Sequence, residues 1–562
     1  MSESEHKTIE ILRILEQAEK PVGSKKIANE LKNKGYNLGE RAVRYHMQLL
    51  DEKGYTERIG YSGRKITELG KSVLEKGLVY DQVDFTFSKF EEYIYQTTFN
   101  PNNKTGNVIV NTSHIFDDEG LELIKKVFQA NIAVSPLVEL EKSTYKGKEG
   151  YSLRTICGTT IDGVLLNNGI STQPQYGGLL EVKDYVPKRF TELISYKKTS
   201  ITPLDAFVGK NMTSVLNVVE EGNGTIPANF RVIPSVARDK TVKIINKLKK
   251  ANINGVIAIG KEGQDILGVP VPKGTVGVAI CGGVTPFCAA QELDYDVDIK
   301  LGEDLNDYSE LKPITSTKTI LKRPNNKTNY EQIPFLLSKS WNLIQKVDYN
   351  YKTKKGNIIA NISYIDKEDI DDALDIMEKT YNDYPNYINP YYKIVKNEDN
   401  SDKVGIATVC SLSVDGILIK NGIMSLPKYG GLLEFGNPSL FTELISYGGS
   451  SIDPHKIYIS KNLTSITQKD TPQKILASIK EVPLIAREDA EVVLNKLNGE
   501  VLSIYKIGKP REVVYNAKVN NYNFGVVAGS GLNSIAAILE EGINIEVKAL
   551  EGLMPLNEMN KF

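Results

Sequence analysis

The sequence predicts a mixed α/β chain: an N-terminal winged helix-turn-helix followed by two tandem homologous α/β domains. Three observations predict it. The string Tyr-Gly-Gly-Leu-Leu-Glu occurs at residues 176–181 and again at 429–434. Phe-Thr-Glu-Leu-Ile-Ser-Tyr follows at 190–196 and returns at 441–447, so the bulk of the chain is a duplication. Residues 1–80 have no counterpart in either copy and combine helical periodicity with a glycine-bounded turn near their end. At 562 residues the chain can hold several domains, each burying its own core.

The first helix of the head is expected over residues 8–19, where Ile9, Leu12 and Leu15 recur at helical spacing and Pro21-Val22-Gly23 stops the run. The second starts at Ser24, a good N-cap, and runs to Gly35. After a turn at 36–39, residues 40–53 form the third. Val43, Met47 and Leu50 make its apolar stripe, and Arg41, Arg44, Tyr45 and Gln48 lie about half a turn away. Residues 55–59 and 65–66 flank Gly60-Tyr61-Ser62-Gly63, a turn suited to a small hairpin with Arg64 at its tip.

Two helices joined by a short turn and followed by a basic hairpin are in the order of a winged helix-turn-helix. In that arrangement the second helix of the motif enters the major groove and the wing reaches the flanking backbone. Arg can bond bidentately to guanine, Gln can read adenine, and Lys or Arg anchors phosphate without reading sequence. The residues expected to contact double-stranded DNA are Lys25, Lys26, Arg41, Arg44, Tyr45, Gln48, Arg64 and Lys65. Residues 1–80 hold 15 Lys plus Arg against 12 Asp plus Glu, so the placement of these cations, and not their excess, points to nucleic acid. Winged helices also mediate protein contacts, which leaves a protein partner as the alternative.

Copy one is assigned to residues 83–304 and copy two to 347–556, with a polar, turn-rich linker at 305–346. The copies are nearly collinear: Asp162-Gly163-Val164-Leu165 matches Asp415-Gly416-Ile417-Leu418, and Asn211-Met212-Thr213-Ser214 matches Asn462-Leu463-Thr464-Ser465. In each, short apolar runs alternate with helical stretches, as expected of α/β folds. Shared glycines such as Gly163 with Gly416 mark turns or close backbone approach.

Two stretches could hold a small anion. Residues 222–231 combine Gly222 and Gly224, which can expose backbone N–H groups, with Asn229 and Arg231 as side-chain donors; a carboxylate is best held bidentately by Arg. Copy two lacks the Gly-x-Gly there and places Lys480 where copy one has Arg231, so copy one is the favoured sensing site. The second stretch, residues 277–286, reads as a strand, a glycine turn, Thr285 as N-cap and Pro286 at the first helical position. Neither is a Walker loop or a Gly-x-Gly-x-x-Gly fingerprint, so nucleotide binding has no support.

Composition narrows the remaining classes. Apolar residues at 41% and charged residues at 25% suit a globular protein, and a net charge of −1 confines any affinity for polyanions to local patches. The N-terminal residues lack the basic start and apolar core of a signal peptide, and no run of about 18 apolar residues could span a bilayer. A cytoplasmic protein without a membrane partner is expected. Cys157, Cys281, Cys288 and Cys410 are too few and too scattered for a disulfide framework or a zinc site; Cys157 and Cys410 occupy equivalent repeat positions and read as core. His6, His46, His114 and His455 sit far apart, and no Ser-His-Asp order or nucleophile elbow is present, so no enzyme and no cofactor is expected.

With both parts read, the chain resembles the long form of the archaeal nitrogen-regulatory repressor family NrpR, one winged helix-turn-helix followed by two NrpR domains. The resemblance runs from Lys7 to about Leu550, carried by the strings at 162–165, 176–179, 190–194, 212–215 and 228–234. It implies a homo-oligomer, expected to be a dimer, that represses nitrogen-assimilation genes and is released from its operator by 2-oxoglutarate. Thr213, Ser214 and Ala228 fall inside those strings, and with Gly222, Gly224, Asn229 and Arg231 they make up the expected effector-binding set. A regulator of the same build sensing another small metabolite, or acting through a protein partner, is the alternative.

Overall fold

The computed structural model describes all residues except 1–10, 17, 19, 34–37, 61, 76–89, 92, 210–211, 325–331, 399, 437, 469–471, 511 and 521. The expected start of the first helix, Gly35, the turn residues Tyr36 and Asn37, Tyr61 of the wing turn and Asn211 therefore lie outside the described residues. The chain divides into two compact units, one of Met1–Asp81, Leu343–Leu444 and Thr464–Phe562, the other of Gln82–Asn342 and Ile445–Leu463.

Within the head, residues 11–16 are helical, followed by helices Ser24–Asn33 and Glu40–Glu52, strands Thr56–Arg58 and Arg64–Ile66, and helix Glu68–Glu75. The strands pair antiparallel, and Val22 bridges Arg64 on the outer side, giving the small sheet a third member. Gly63, at φ 119°, allows that approach: a Cβ there would lie 2.3 Å from the Val22 carbonyl carbon. Ile11, Leu15, Ile27, Leu31, Val43 and Met47 are among the side chains forming one buried cluster. His46 is buried with them, one turn along from Val43, although its polarity gave the sequence no reason to place it inside.

Copy one is built on two five-stranded antiparallel sheets. One has the order Val186–Ser195, Gln173–Lys183, Gly224–Pro234, Thr275–Cys281, Val256–Ile259; the other has Val297–Asp307, Asn107–Ile115, Lys148–Ile156, Leu137–Tyr145, Lys312–Pro313. Copy two repeats the first sheet strand for strand as Leu440–Ser446, Leu426–Glu434, Lys474–Pro483, Asn523–Gly529, Ile504–Ile507. The stretch expected as a linker carries strand Lys312–Pro313 and helix Leu336–Lys346.

Gly163 and Gly416 lie inside equivalent helices, Thr159–Asn167 and Ser413–Lys420. A Cβ on Gly163 would meet Thr97 at 2.4 Å and one on Gly416 would meet Val347 at 2.5 Å, so each glycine lets the preceding segment pack on its helix. In the second unit Ile194 bridges Ser450 and Thr199 bridges Ile445. Because these pairs exchange equivalent repeat positions, the contact is self-complementary, as across a two-fold axis.

Candidate nucleic-acid and effector sites

The third helix of the head, Glu40–Glu52, buries Val43, His46, Met47 and Leu50 and turns Arg41, Arg44, Tyr45 and Gln48 outward. Tyr45 is 60% exposed, too open for a ring held by the core. Arg44 is held in place locally: its guanidinium donates to Glu40 at 2.6 Å, and Ser24 donates to the same carboxylate at 3.0 Å. Hydrogen bonds from Arg44 and then Ser24 hold the Glu40 carboxyl below the usual carboxylate range. Ser24 thus links the two helices of the motif and does not only start one of them. Lys25 and Lys26 are exposed at the start of the second helix, and Lys65 is exposed on the wing.

Arg64 differs from expectation. It does not stand at the wing tip but opens the second wing strand, and its guanidinium donates to Asp51 at 2.7 Å with 13% of the side chain exposed. The bridge to Val22 pulls Arg64 toward the helices, within reach of Asp51 at the end of Glu40–Glu52. Arg58, from the first wing strand, instead donates to the Gly60 carbonyl at the turn.

The expected effector residues separate along strand Gly224–Pro234. Thr225 and Arg231 are about 20 Å apart at strand rise, and the candidates gather near these two ends. At the first, Thr213 donates to Glu292 at 2.6 Å, and Val215 and Leu216 N–H donate to the same carboxylate at 2.6 and 3.0 Å. Ser214 Oγ accepts from Thr225 N–H. Gly222, at φ 78°, closes helix Val215–Glu221 with no room for a Cβ against Tyr185, and Gly224 passes Ser214 O closely. These glycines close the chain around the helix. In copy two Glu540 likewise accepts from Ile466 and Thr467 N–H, but these lie in a bend and start no helix.

At the other end Ala228 points with Phe230 and Val232 into one core cluster, while Asn229 and Arg231 share the opposite face. Arg231 is 2% exposed and ion-paired with fully buried Asp162, which comes from helix Thr159–Asn167. Burial pushes the Asp162 carboxyl up and the Arg231 charge pulls it down. Tyr196 donates to Asn229 Oδ1 at 2.6 Å, and burial pushes its own hydroxyl up. Arg231 is therefore not an open fork facing solvent; it is bound to a carboxylate of its own chain, and its buried Nε lacks a hydrogen-bond partner among the described residues.

Copy two builds the same pair from different chemistry. Lys480 donates to Asp415 at 2.7 Å, both fully buried, and Ser425 donates to the second carboxylate oxygen at 2.6 Å. Arg231 pairs in register with Val278, and Lys480 with Val526, the matching residue of the next strand. The difference at this position is a change of cation within a kept ion pair.

The second glycine stretch also differs in detail. Thr285 is the first residue of helix Thr285–Gln291, and its hydroxyl donates to the Gly282 and Pro227 carbonyls instead of accepting from the helix. All four cysteines are free and buried, and burial raises the Cys157 thiol and brings Cys281 to about 11, which keeps both protonated near neutrality. Among the described residues no cluster of His, Cys, Asp and Glu could hold a metal ion, and no helix is long and apolar enough to cross a membrane.

A winged-helix head followed by two copies of one α/β body defines a winged-helix regulator. A profile of the ribonuclease R winged-helix domain matches residues 9–74, and the profile of NrpR regulatory domains NRD1 and 2 matches residues 83–313 and 333–561. The chain belongs to the NrpR family. It is 36% identical to the global nitrogen regulator NrpR of Methanococcus maripaludis, over 99% of this chain and 98% of that protein. To the protein of that name from Methanocaldococcus jannaschii it is 34% identical, over 100% of this chain and 99% of the other. The global nitrogen regulator NrpRI of Methanosarcina mazei is 41% identical over 55% of this chain and 98% of its own length. The chain is thus a nitrogen-related regulator.

Proposed function

We propose that this chain is a cytoplasmic, dimeric DNA-binding repressor of nitrogen-assimilation genes that leaves its operator when 2-oxoglutarate binds the duplicated body. Residues 1–80 act as reader, 83–304 and 347–556 as the two regulatory copies, and 305–346 as the joint between them. The observation that carries this reading is the outward face of Glu40–Glu52, where Arg41, Arg44, Tyr45 and Gln48 stand free of the core. Lys25, Lys26 and Lys65 supply phosphate contacts around it. Two heads on a dimer would meet half-sites about 34 Å apart, one turn of B-DNA.

The effector must bind the arrangement that releases DNA more tightly than the one that holds it, and about 1.4 kcal/mol of difference makes a tenfold change. Support for a contact at Arg231 comes from its unpartnered Nε beside the Asn229 amide. A second reading, a different metabolite or a protein partner as the signal, is favoured by another observation: Asp162 and Glu292 already occupy the donors the effector would need.

Operator-fragment binding by the purified protein, titrated with 2-oxoglutarate and with glutamate as control, tests both. Release by 2-oxoglutarate only is the expected outcome. Tight binding indifferent to it keeps the reader and sends the search to another signal; no binding refutes the DNA-binding reading.

A further inference from the structure

Copy one leaves one sheet edge open beside a basic groove. Val256–Ile259 is the last strand of its sheet, paired on its inner side with Thr275–Cys281. Across from it runs the segment 318–322, whose N–H groups bond elsewhere: Lys318 to Gln129, Ile320 to Ala130 and Lys322 to Tyr185 carbonyls. Between the two lies a cavity of about 520 Å³, bordered also by helix Arg238–Lys250. Its apolar surface comes from Val242, Ile245, Leu321 and the strand itself, and its charged rim from Lys249, Lys322 and Arg323, all exposed. No carboxylate lines it, in a chain whose acids and bases are in balance. Lys249 and Arg323 form no ion pair among the described residues, and the Lys322 ammonium lies over the Tyr185 ring at 5.8 Å.

The second copy is an internal control. Helix Arg238–Lys250 carries six cations and one acid, while its shorter counterpart Arg487–Leu497 carries two cations and three acids. The matching edge strand there, Ile504–Ile507, places Tyr505 where copy one has Ile257. The Tyr505 hydroxyl donates to the Asn386 carbonyl at 2.8 Å, and its ring packs on Phe435, which stacks on Tyr387. Copy two fills this place with its own aromatic side chains; copy one keeps it open and basic.

We infer that the groove of copy one receives an extended, acidic peptide segment of a partner protein, which adds as a strand to Val256–Ile259 and sets its carboxylates on Lys249, Lys322 and Arg323. An open strand edge offers alternating N–H and C=O groups, and an extended backbone satisfies them while alternate side chains reach the apolar wall. The four-residue edge spans about 13 Å, longer than a small dicarboxylate can follow. The three cations select acidic side chains and steer the encounter. This goes beyond the operator and effector reading and stands on different residues.

The test is a fluorescence-polarisation titration of the full chain with a labelled, end-capped peptide of alternating Glu and Val. Two further peptides accompany it, one with Lys for Glu and one with alternate backbone amides N-methylated. The acidic peptide should bind, and the Lys peptide should not. N-methylation should weaken binding at least about tenfold, the equivalent of 1.4 kcal/mol. Combined Lys249→Glu, Lys322→Glu and Arg323→Glu, all at exposed positions, should weaken it by at least as much with an unchanged melting temperature. Bound peptide should slow hydrogen exchange of the 256–259 amides. Equal binding of the N-methylated peptide, absence of binding by the acidic one, or its displacement by 2-oxoglutarate would overturn the inference. Should the triple variant not fold, the N-methylated comparison on the unaltered chain still decides. Operator binding is read separately, so either proposal can fail alone.

Discussion

Copy one and copy two carry the same buried ion pair with different cations, Arg231 on Asp162 and Lys480 on Asp415. From sequence, the change from Arg to Lys reads as loss of a ligand-holding fork in copy two. In the fold both cations sit at one register position of the sheet's central strand and reach a carboxylate on the equivalent helix. The shared element is a strut between sheet and helix. Divergence lies around it: Asn229 and Tyr196 flank the pair in copy one, Ser478 and Ser425 in copy two. A residue kept in charge but changed in kind across a duplication is better read as structural until its exposure is known.

The largest effect should come from removing the cations. Arg231→Ala and Lys480→Ala each leave a buried carboxylate unpaired, at a cost of about 3–5 kcal/mol, read by chemical denaturation. Similar losses would support a common strut; a loss in copy two alone would return Arg231 to the ligand reading. Next are the carboxylates that receive backbone N–H groups. Glu292→Ala and Glu540→Ala should each cost about 1–2 kcal/mol, because each carboxylate accepts from two backbone N–H groups, at a helix start in copy one and at a bend in copy two. Unequal costs would show that one copy no longer depends on this carboxylate.

Arg231→Lys, which gives copy one the cation of copy two, should cost only about 1 kcal/mol, since charge is kept and the planar fork is lost. A cost as large as that of Arg231→Ala would show that the two sites are not interchangeable. The smallest change in stability should follow Arg44→Ala, because its pair with Glu40 is solvent-exposed and screened. Under the proposed function it should nonetheless weaken operator binding, and if Arg44 contacts phosphate the salt slope should fall by about 0.9. Unaltered operator affinity would remove Arg44 from the interface.

The apolar stripe of the third head helix was legible because Val43, Met47 and Leu50 repeat at helical spacing, which requires only local geometry. His46 was not, since a histidine on the edge of that stripe carries no periodic signal. The sequence points Arg64 to the wing tip because the turn residues beside it are legible; its bond to Asp51, 13 residues away, is not. The residues expected to hold an effector look adjacent in sequence and part in space, because a strand carries its residues apart by about 3.3 Å each.

By itself the sequence determined the duplication, the order of head and body, the outward basic face of the third helix and membership of the family. These are written in repeated strings and short-range periodicity, which survive without knowledge of contacts. Only the tertiary structure decided that Arg231 and Lys480 are buried against carboxylates of their own chain, that Glu292 receives the first N–H groups of a helix while Glu540 receives those of a bend, and that one copy leaves a sheet edge open. Asp162 lies 69 residues from Arg231, and Glu292 lies 77 from the N–H group it caps. Whether a charge meets solvent or a partner across such separations is settled by how sheets and helices close on one another, and no local spacing encodes it.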